Sequence, residues 1–401
     1  MSSEKTQNVL LNLLSNALFK KPLAIPEDTD WNGVYHESIW QSVSSLAFSS
    51  VNSNDIPADI YQKWKRNIGV QLTLNSKNFY DHTTIDRMMS QAEIPYVILK
   101  GCVSASYYDD PYLRAMGDVD FLVEEKDVSK TCRLLELNGY VSEDVDHEYE
   151  KAYVKDGFVA EVHWNINGVP GGKAGEVVSA YFDDIFEKSS YVSLGGAQYV
   201  SPSAFHHGLI MLLHIARHMI TGGIGLRHLC DWAVFVEKIG NDFPALFENK
   251  LKKAGLWRFA VLLTQFSVVY LGASEQKWMG KPERKLLENL KNDIFAGGNF
   301  GKKDKKRSDE AKFITSRNKG GVNDDSNLKQ SVLSANEIVR KHWKSAAKFP
   351  LIYPIGWLYF GGRYLIRAIL GKRKKINVNE LIDGANARKE IYKKLRLFEK
   401  Q

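Results

Sequence analysis

Hydrophobic and polar positions along the chain change period twice. Residues 8–18 and 60–89 read as helices, with a loop over 26–33 between them. From residue 94 the pattern shortens. Ile94-Pro95-Tyr96-Val97-Ile98-Leu99 is a short apolar strand that ends in Lys100-Gly101. Residues 102–108, small and aromatic, predict a short helix; Asp109-Asp110-Pro111 closes it, because a residue before proline disfavours the helical region. Residues 118–123 predict a strand with Asp118, Asp120 and Leu122 on one face and Val119, Phe121 and Val123 on the other. A helix over 127–138 follows, stopped by Gly139. Residues 149–154 and 158–164 read as strands joined by the tight turn Lys155-Asp156-Gly157. In the second of them Val159, Glu161 and His163 alternate with Phe158, Ala160, Val162 and Trp164. From Ser203 onward helices dominate, the first over 205–220 with Ser203 as its N-cap. The expected organisation is an N-terminal helical region over 1–85, an α/β core over 86–200 and a C-terminal helical domain over 201–401.

The acids of the core carry the chemistry. Asp118 and Asp120, side by side on a strand face, repel each other unless something positive lies between them, and paired hard oxygens suit Mg²⁺. Taken alone, an Asp-x-Asp pair is common and equally describes a solvated strand edge. The order around it adds weight: strand, glycine turn, helix start, then the aspartate strand. A glycine turn into a helix start offers backbone N–H groups to a phosphate, and a phosphate cradle beside an acid pair is what phosphoryl transfer requires. Glu161 supplies a third acid from the later hairpin. His163, flanked by apolar and aromatic residues, reads as a packed or hydrogen-bonded histidine.

Taken together, Leu99-Lys100-Gly101, Tyr108 with Pro111, Leu113 and Arg114, Gly117-Asp118-Val119-Asp120-Phe121-Leu122-Val123, and Glu161-Val162-His163-Trp164 resemble the bacterial nucleotidyltransferase-like family of the polymerase-beta superfamily. The resemblance covers about residues 85 to 240. It implies an α+β fold: a small mixed-sheet nucleotidyltransferase core flanked by N-terminal and C-terminal helical regions. It also implies a transferase that moves a nucleotide from an NTP, ATP by default, to an acceptor hydroxyl. Asp118, Asp120 and Glu161 would be the catalytic residues and would hold two Mg²⁺ ions, with Mn²⁺ as the alternative. Lys100, Gly101, Ser104, Arg114 and Arg227 would bind nucleotide and phosphate. The usual Gly-Ser after the first strand is here Lys100-Gly101, with Ser104 slightly later. The acceptor stays open among a small molecule, a sugar, a protein and RNA.

Composition narrows the classes. Hydrophobic residues make up 44% and charged residues 25% of 401, the balance of an ordinary globular protein. Cys102, Cys132 and Cys230 form no C-x-x-C pair, which points to a reducing cytoplasm and away from a disulfide scaffold or zinc site. No signal peptide is expected. Charge is uneven: residues 1–200 hold 17 Lys and Arg against 29 Asp and Glu, and residues 201–401 hold 37 against 18. A basic half fits an anionic partner (nucleic acid, anionic lipid or a phosphorylated substrate) or simply a soluble helical domain. No stable nucleic-acid partner is expected.

Later segments add detail. His214 and His218 lie one helical turn apart, with His207 upstream, but no glutamate stands between them as in a zinc-protease helix. They are expected to face the cleft or a polar interface. Arg227 and Asp231 are spaced for an intrahelical ion pair; the resemblance instead aims Arg227 at the phosphates. Residues 297–330, which include Lys302-Lys303-Asp304-Lys305-Lys306-Arg307, read as a basic, mobile insertion. Residues 349–370 are apolar and precede Lys372-Arg373-Lys374-Lys375. Pro350, Pro354, Gly361, Gly362, Arg363 and Arg367 interrupt them, so a helix packed on the bundle is favoured over an interfacial membrane contact through 349–375, and a span is not expected. Two other classes compete with the enzyme: a non-catalytic nucleotide-sensing module, and a basic membrane-surface or RNA-interaction protein.

Overall fold

The computed structural model describes residues 2–143 and 149–304, together with Arg307, Val339, residues 353–357, Tyr359 and residues 394–399. It is an α+β protein. Helices α1 (Glu4–Phe19), α2 (Trp31–Trp40), α3 (Ser44–Phe48) and α4 (Ala58–Gln91) precede the sheet. The sheet region runs β1 (Tyr96–Ile98), α5 (Cys102–Ala105), β2 (Val119–Val123), α6 (Val128–Leu137), β3 (Val141–Ser142), β4 (Glu150–Lys155) and β5 (Phe158–His163). Helix α7 (Gly172–Ala180) and the hairpin β6 (Ser190–Leu194) and β7 (Ala197–Ser201) follow. Helices α8 (Ala204–Thr221), α9 (Leu226–Ile239), α10 (Phe243–Ala254), α11 (Trp257–Leu271) and α12 (Arg284–Gly297) complete the continuous part.

The five-stranded sheet has the order β1-β2-β5-β4-β3. All its pairings are antiparallel except β2 with β5, which is parallel. In the β4–β5 hairpin Lys155 pairs with Phe158, leaving a two-residue turn. Both turn residues, Asp156 and Gly157, have positive φ, 51° and 74°, as a turn matched to the strand twist requires. The predicted aspartate strand begins one residue late: β2 starts at Val119, and Asp118 stands just outside it.

The two faces of β2 serve different cores. Val119, Phe121 and Val123 join Ala160, Val162, Tyr153 and Phe158 in a cluster closed by Ile85 and Met89 of α4, Leu135 of α6 and Tyr199 of β7. Leu122, on the opposite face, packs into a larger core built from both ends of the chain. There α1 lies against α11, and Trp64 of α4 is fully buried with its indole N–H donating to Ser44 Oγ at 2.9 Å. Helix α8 is buried on nearly all sides, as its apolar sequence demands. Its N-terminus is capped by Ser203, whose Oγ accepts from His206 N–H at 3.4 Å.

Helix α4 spans both cores. Its inward stripe is apolar at Trp64, Ile68, Phe79, Ile85 and Met89 but polar at Asn75, Asn78 and His82. Those three clamp the loops on either side of the sheet edge. Asn75 Nδ2 donates to the carbonyls of Tyr112 at 2.6 Å and Arg114 at 2.9 Å, and its Oδ1 accepts from Met116 N–H at 3.2 Å. Asn78 donates to the Gly117 carbonyl. The segment that delivers Asp118 is therefore fixed by a helix some forty residues upstream. Among the described residues no helix is long and apolar enough to cross a membrane. Most of the predicted 349–370 segment, and the basic stretch from 305 onward except Arg307, lie outside the described residues.

Phe121 is fully buried at the centre of β2. Phe121→Ala is expected to lower the unfolding free energy by about 3–5 kcal/mol, read as a lower urea midpoint at unchanged slope.

Candidate active site

Parallel pairing builds the acidic wall. The register sets Asp120 beside Glu161 and Leu122 beside His163, while β4 sets Ala152 beside Glu161 and Glu150 beside His163. Residues abreast on neighbouring strands point to the same face. Asp120, Glu161, His163 and Glu150 therefore converge, although they are spread over some forty residues of sequence. His163 sits at their centre. Its Nε2 is 3.1 Å from Asp120 Oδ1 and 3.4 Å from Glu161 Oε2, and its Nδ1 is 3.3 Å from Glu150 Oε2. Asn167 donates to the same Glu150 oxygen. Lys100, at the end of β1, reaches Asp120 Oδ1 at 3.0 Å.

Such crowding moves the titrations. Burial disfavours the Asp120 charge, but Lys100 and His163 outweigh it and hold the carboxyl well below the usual carboxylate range. Burial also works against His163, and its hydrogen bonds to Asp120 and Glu161 carry it up to about 9. Lys100 follows the same pattern, with burial overcome by Asp120, Asp118 and Glu161. The Asp120 charge pushes Asp118 upward. The His163 hydrogen bond lowers Glu161, yet burial and the charges of Asp120 and Asp118 leave it raised. Lys100 and His163 thus supply the positive charge that the abreast carboxylates need.

The turn after β1 is built differently from the expected phosphate cradle. Gly101 has φ 61°, and a Cβ there would collide with His82. Burial holds His82 down at about 4. Its Nδ1 donates to the Asn78 carbonyl at 2.8 Å, so Nε2 accepts from Cys102 N–H at 3.4 Å. Val103 N–H donates to the Lys100 carbonyl at 3.2 Å. The first N–H groups of α5 are therefore engaged inside the protein. Ser104 is buried and pairs with His207 Nε2 at 3.2 Å.

Arg114 and Asp231 form a buried bidentate pair, Nε to Oδ1 at 2.7 Å and Nη2 to Oδ2 at 2.8 Å. Tyr108 donates to Asp231 Oδ1 at 2.7 Å, and Arg114 Nη1 reaches the Gly101 carbonyl at 3.3 Å. Of the two readings of Arg227, the intrahelical pair with Asp231 gives way: Arg114 closes both carboxylate oxygens of Asp231, which leaves Arg227 to face elsewhere. Arg227 Nη1 reaches the Ala115 carbonyl at 3.4 Å, its guanidinium lies 5.4 Å from the Phe300 ring, and its Nε is buried with no hydrogen-bond partner among the described residues.

These groups enclose one cavity of about 590 Å³. Asp118, Asp120, Glu150, Glu161 and Asn167 line it from the sheet and its loops; Arg227, His214, His218, His228, Phe300 and Lys302 line it from α8, α9 and the turn after α12. Lys100 stands between, 3.0 Å from Asp120 and 3.5 Å from His214 Nδ1. All the sequence-predicted site residues, Lys100, Gly101, Ser104, Arg114, Asp118, Asp120, Glu161 and Arg227, reach its wall. His214 and His218 face it and His207 does not. Residues 297–304, part of the expected mobile insertion, are folded, and Asn299, Phe300 and Lys302 complete the cavity. Sequence reasoning missed Glu150, Asn167, His228 and Phe300; His163, read as packed or hydrogen-bonded, is hydrogen-bonded to Asp120. The period-2 pattern of β4 held the available signal, since Glu150 falls on the face of Ala152.

The donors fit a divalent cation. Asp120, Glu161 and His163 each offer a ligand atom within 4.8 Å of the others, and the two carboxylates supply hard oxygens. The uncharacterised nucleotidyltransferase family model matches residues 27–272, more than half of the chain and all of the sheet, and the chain belongs to that family. Neither a curated protein nor a solved structure matches the chain.

Two predictions follow from the buried polar groups. Asp231→Ala strands the Arg114 charge and is expected to cost about 3–5 kcal/mol, measured by urea unfolding. Burial holds His82 at about 4 and His207 and His218 at about 3. Below about pH 6.5 the unfolded chain protonates these imidazoles while the folded protein does not. The unfolded state then binds more protons, so stability falls as pH drops from 6.5 towards 4. His207→Gln should flatten that slope by up to about 1.4 kcal/mol per pH unit; an unchanged slope in urea titrations at pH 7, 6 and 5 would count against it.

Proposed function

We propose that the cavity transfers a nucleotidyl group from an NTP to an acceptor hydroxyl and releases pyrophosphate. The observation that carries this reading is the meeting of unlike charges in one cavity: abreast carboxylates on the sheet, Lys100 paired with Asp120, and Arg227 and Lys302 from the helical side. Family membership supports the reaction class. ATP is the default donor, and the acceptor is a small molecule, a sugar, a protein hydroxyl or RNA. Three free cysteines fit a cytoplasmic setting.

Asp120 and Glu161, with Asp118 at the strand mouth, would hold Mg²⁺, which when bound supplies Lewis-acid charge against the phosphates. The chain's own groups do the rest. Arg227, whose Nε has no hydrogen-bond partner among the described residues, and Lys302 attract the phosphates to the basic wall. Lys100, between the walls, offsets charge where the α-phosphate lies. The acceptor oxygen bonds to the α-phosphorus, the bond from that phosphorus to the β-phosphate bridging oxygen breaks, and pyrophosphate leaves with that oxygen. The hydroxyl proton passes to Glu161, abreast of Asp120 on the sheet. Arg114 and Ser104 act on the turn that carries Lys100, through Gly101 and His207 respectively.

The test is incubation with labelled NTPs, Mg²⁺ and a panel of acceptors, followed by intact-mass measurement of protein and products. Asp120→Asn is expected to cut pyrophosphate release on the order of 10²–10³-fold, the scale of removing one preorganised electrostatic group. Release at the parental rate would sink the mechanism. Nucleotide binding without turnover in the parent would make the site a sensing module instead.

A further inference from the structure

We propose that His163 is a direct ligand of the divalent cation through Nε2, oriented by Glu150, so that this site prefers a first-row transition ion such as Mn²⁺ over Mg²⁺. The proposal deepens the reading of the cavity as a metal-dependent transferase and names which ion it takes.

Spacing is the first argument. His163 Nε2 stands 3.1 Å from Asp120 Oδ1 and 3.4 Å from Glu161 Oε2. Neighbouring ligands around an octahedral ion with bonds near 2.1 Å are about 3 Å apart. The nitrogen and the two carboxylates already hold that separation. The strand register fixes it, because Asp120 and Glu161 are abreast and His163 is two residues along β5 on the same face.

Behind the ring lies the second argument. His163 Nδ1 faces Glu150 Oε2 at 3.3 Å, and Asn167 holds that same oxygen. Metal-bound histidines characteristically give the far ring N–H to a carboxylate, which fixes the tautomer and aims the other nitrogen at the metal. Here the far partner comes from the directly paired strand, Glu150 opposite His163. Asn167 Nδ2 also lies 3.4 Å from that ring nitrogen, so the far edge of the ring is held by two groups. The ring is 1% exposed, so its direction is set by the fold.

The ligand type sets the preference. Carboxylate oxygens alone serve Mg²⁺, whereas imidazole nitrogen favours transition ions. Two carboxylates and one imidazole therefore shift selectivity towards Mn²⁺ and its neighbours.

The experiment uses the full-length protein stripped with chelator and titrated with Mn²⁺ under pulsed electron paramagnetic resonance, beside competition with Mg²⁺. The expected result is a nitrogen coupling on bound Mn²⁺ that changes isotope pattern when the protein carries ¹⁵N-histidine. His163→Asp should lose the coupling yet bind Mn²⁺, with the Mn²⁺-over-Mg²⁺ preference reduced about tenfold or more. Glu150→Gln should keep the coupling and weaken Mn²⁺ about tenfold. Mn²⁺ bound with no nitrogen coupling in the parent, or coupling that survives in His163→Asp, overturns the proposal. The labelled parent decides the nitrogen question even where a variant does not fold. Nucleotide transfer without nitrogen coupling overturns this proposal alone. Nitrogen coupling in a protein that transfers no nucleotide supports it and counts against the proposed activity.

Discussion

The parallel pairing of β2 with β5 is the constraint on which the site depends. It sets Asp120 and Glu161 abreast and His163 one step further along the same face. A slip of one residue in β5 would turn its side chains to the other face and bury Glu161 and His163 against Val119, Phe121 and Val123. The apolar face fixes the register: Phe121, Ala160 and Val162 are fully buried between α4, α6 and β7 and have no other place to go. Hydrophobic burial on one side of the sheet therefore enforces electrostatic crowding on the other. Lys100 and His163 relieve that crowding from inside the protein.

Ties across the cavity hold the two walls in place. Arg114 reaches from the loop before β2 to Asp231 on α9, and Tyr108 adds a third bond to the same carboxylate. A buried pair of this kind gains little net stability against its desolvation. Its geometry is nevertheless demanding, because both carboxylate oxygens must meet the guanidinium fork. What it contributes here is a fixed spacing between the sheet and the C-terminal helices. Helix α4 does the corresponding job on the other side, with Asn75 and Asn78 on the loop and His82 under Gly101. Polar groups buried along one helix, through bonds from Asn75, Asn78 and His82, specify the position of two loops.

The basic wall has a different character. His228 Nδ1 lies 3.3 Å from the Gly225 backbone nitrogen and 3.4 Å from the Gly225 carbonyl, and its Nε2 is buried at the cavity wall with no hydrogen-bond partner among the described residues. Arg227 Nε is in the same state beside it. Burial and the neighbouring cations keep His214 and His228 well below the ordinary histidine value, so this wall offers neutral imidazoles next to full charges. Acid on the sheet and donors on the helices give the cavity a polarity that suits an extended anion with a metal at one end.

Much of this was legible along the chain. The strands of the core, the Asp156-Gly157 turn, the Ser203 cap, the long helix through 60–89 and the Asp118, Asp120 and Glu161 acids all follow from patterns a few residues wide. Such patterns reflect local geometry: the period of a strand, the missing donors of a helix start, the conformational freedom of glycine. Pairings between distant residues were not legible. Asp231 looked like a partner for Arg227 four residues away and instead binds Arg114, 117 residues away. Glu150 and His163 gained a role only when antiparallel pairing set them opposite one another, and Phe300 and Lys302 only when α12 brought their turn to the cavity. By itself the sequence determined the elements and the chemistry each could carry. The tertiary structure alone decided which side chains meet, because register and packing, set by burial of the whole core, choose among partners that local pattern leaves equal.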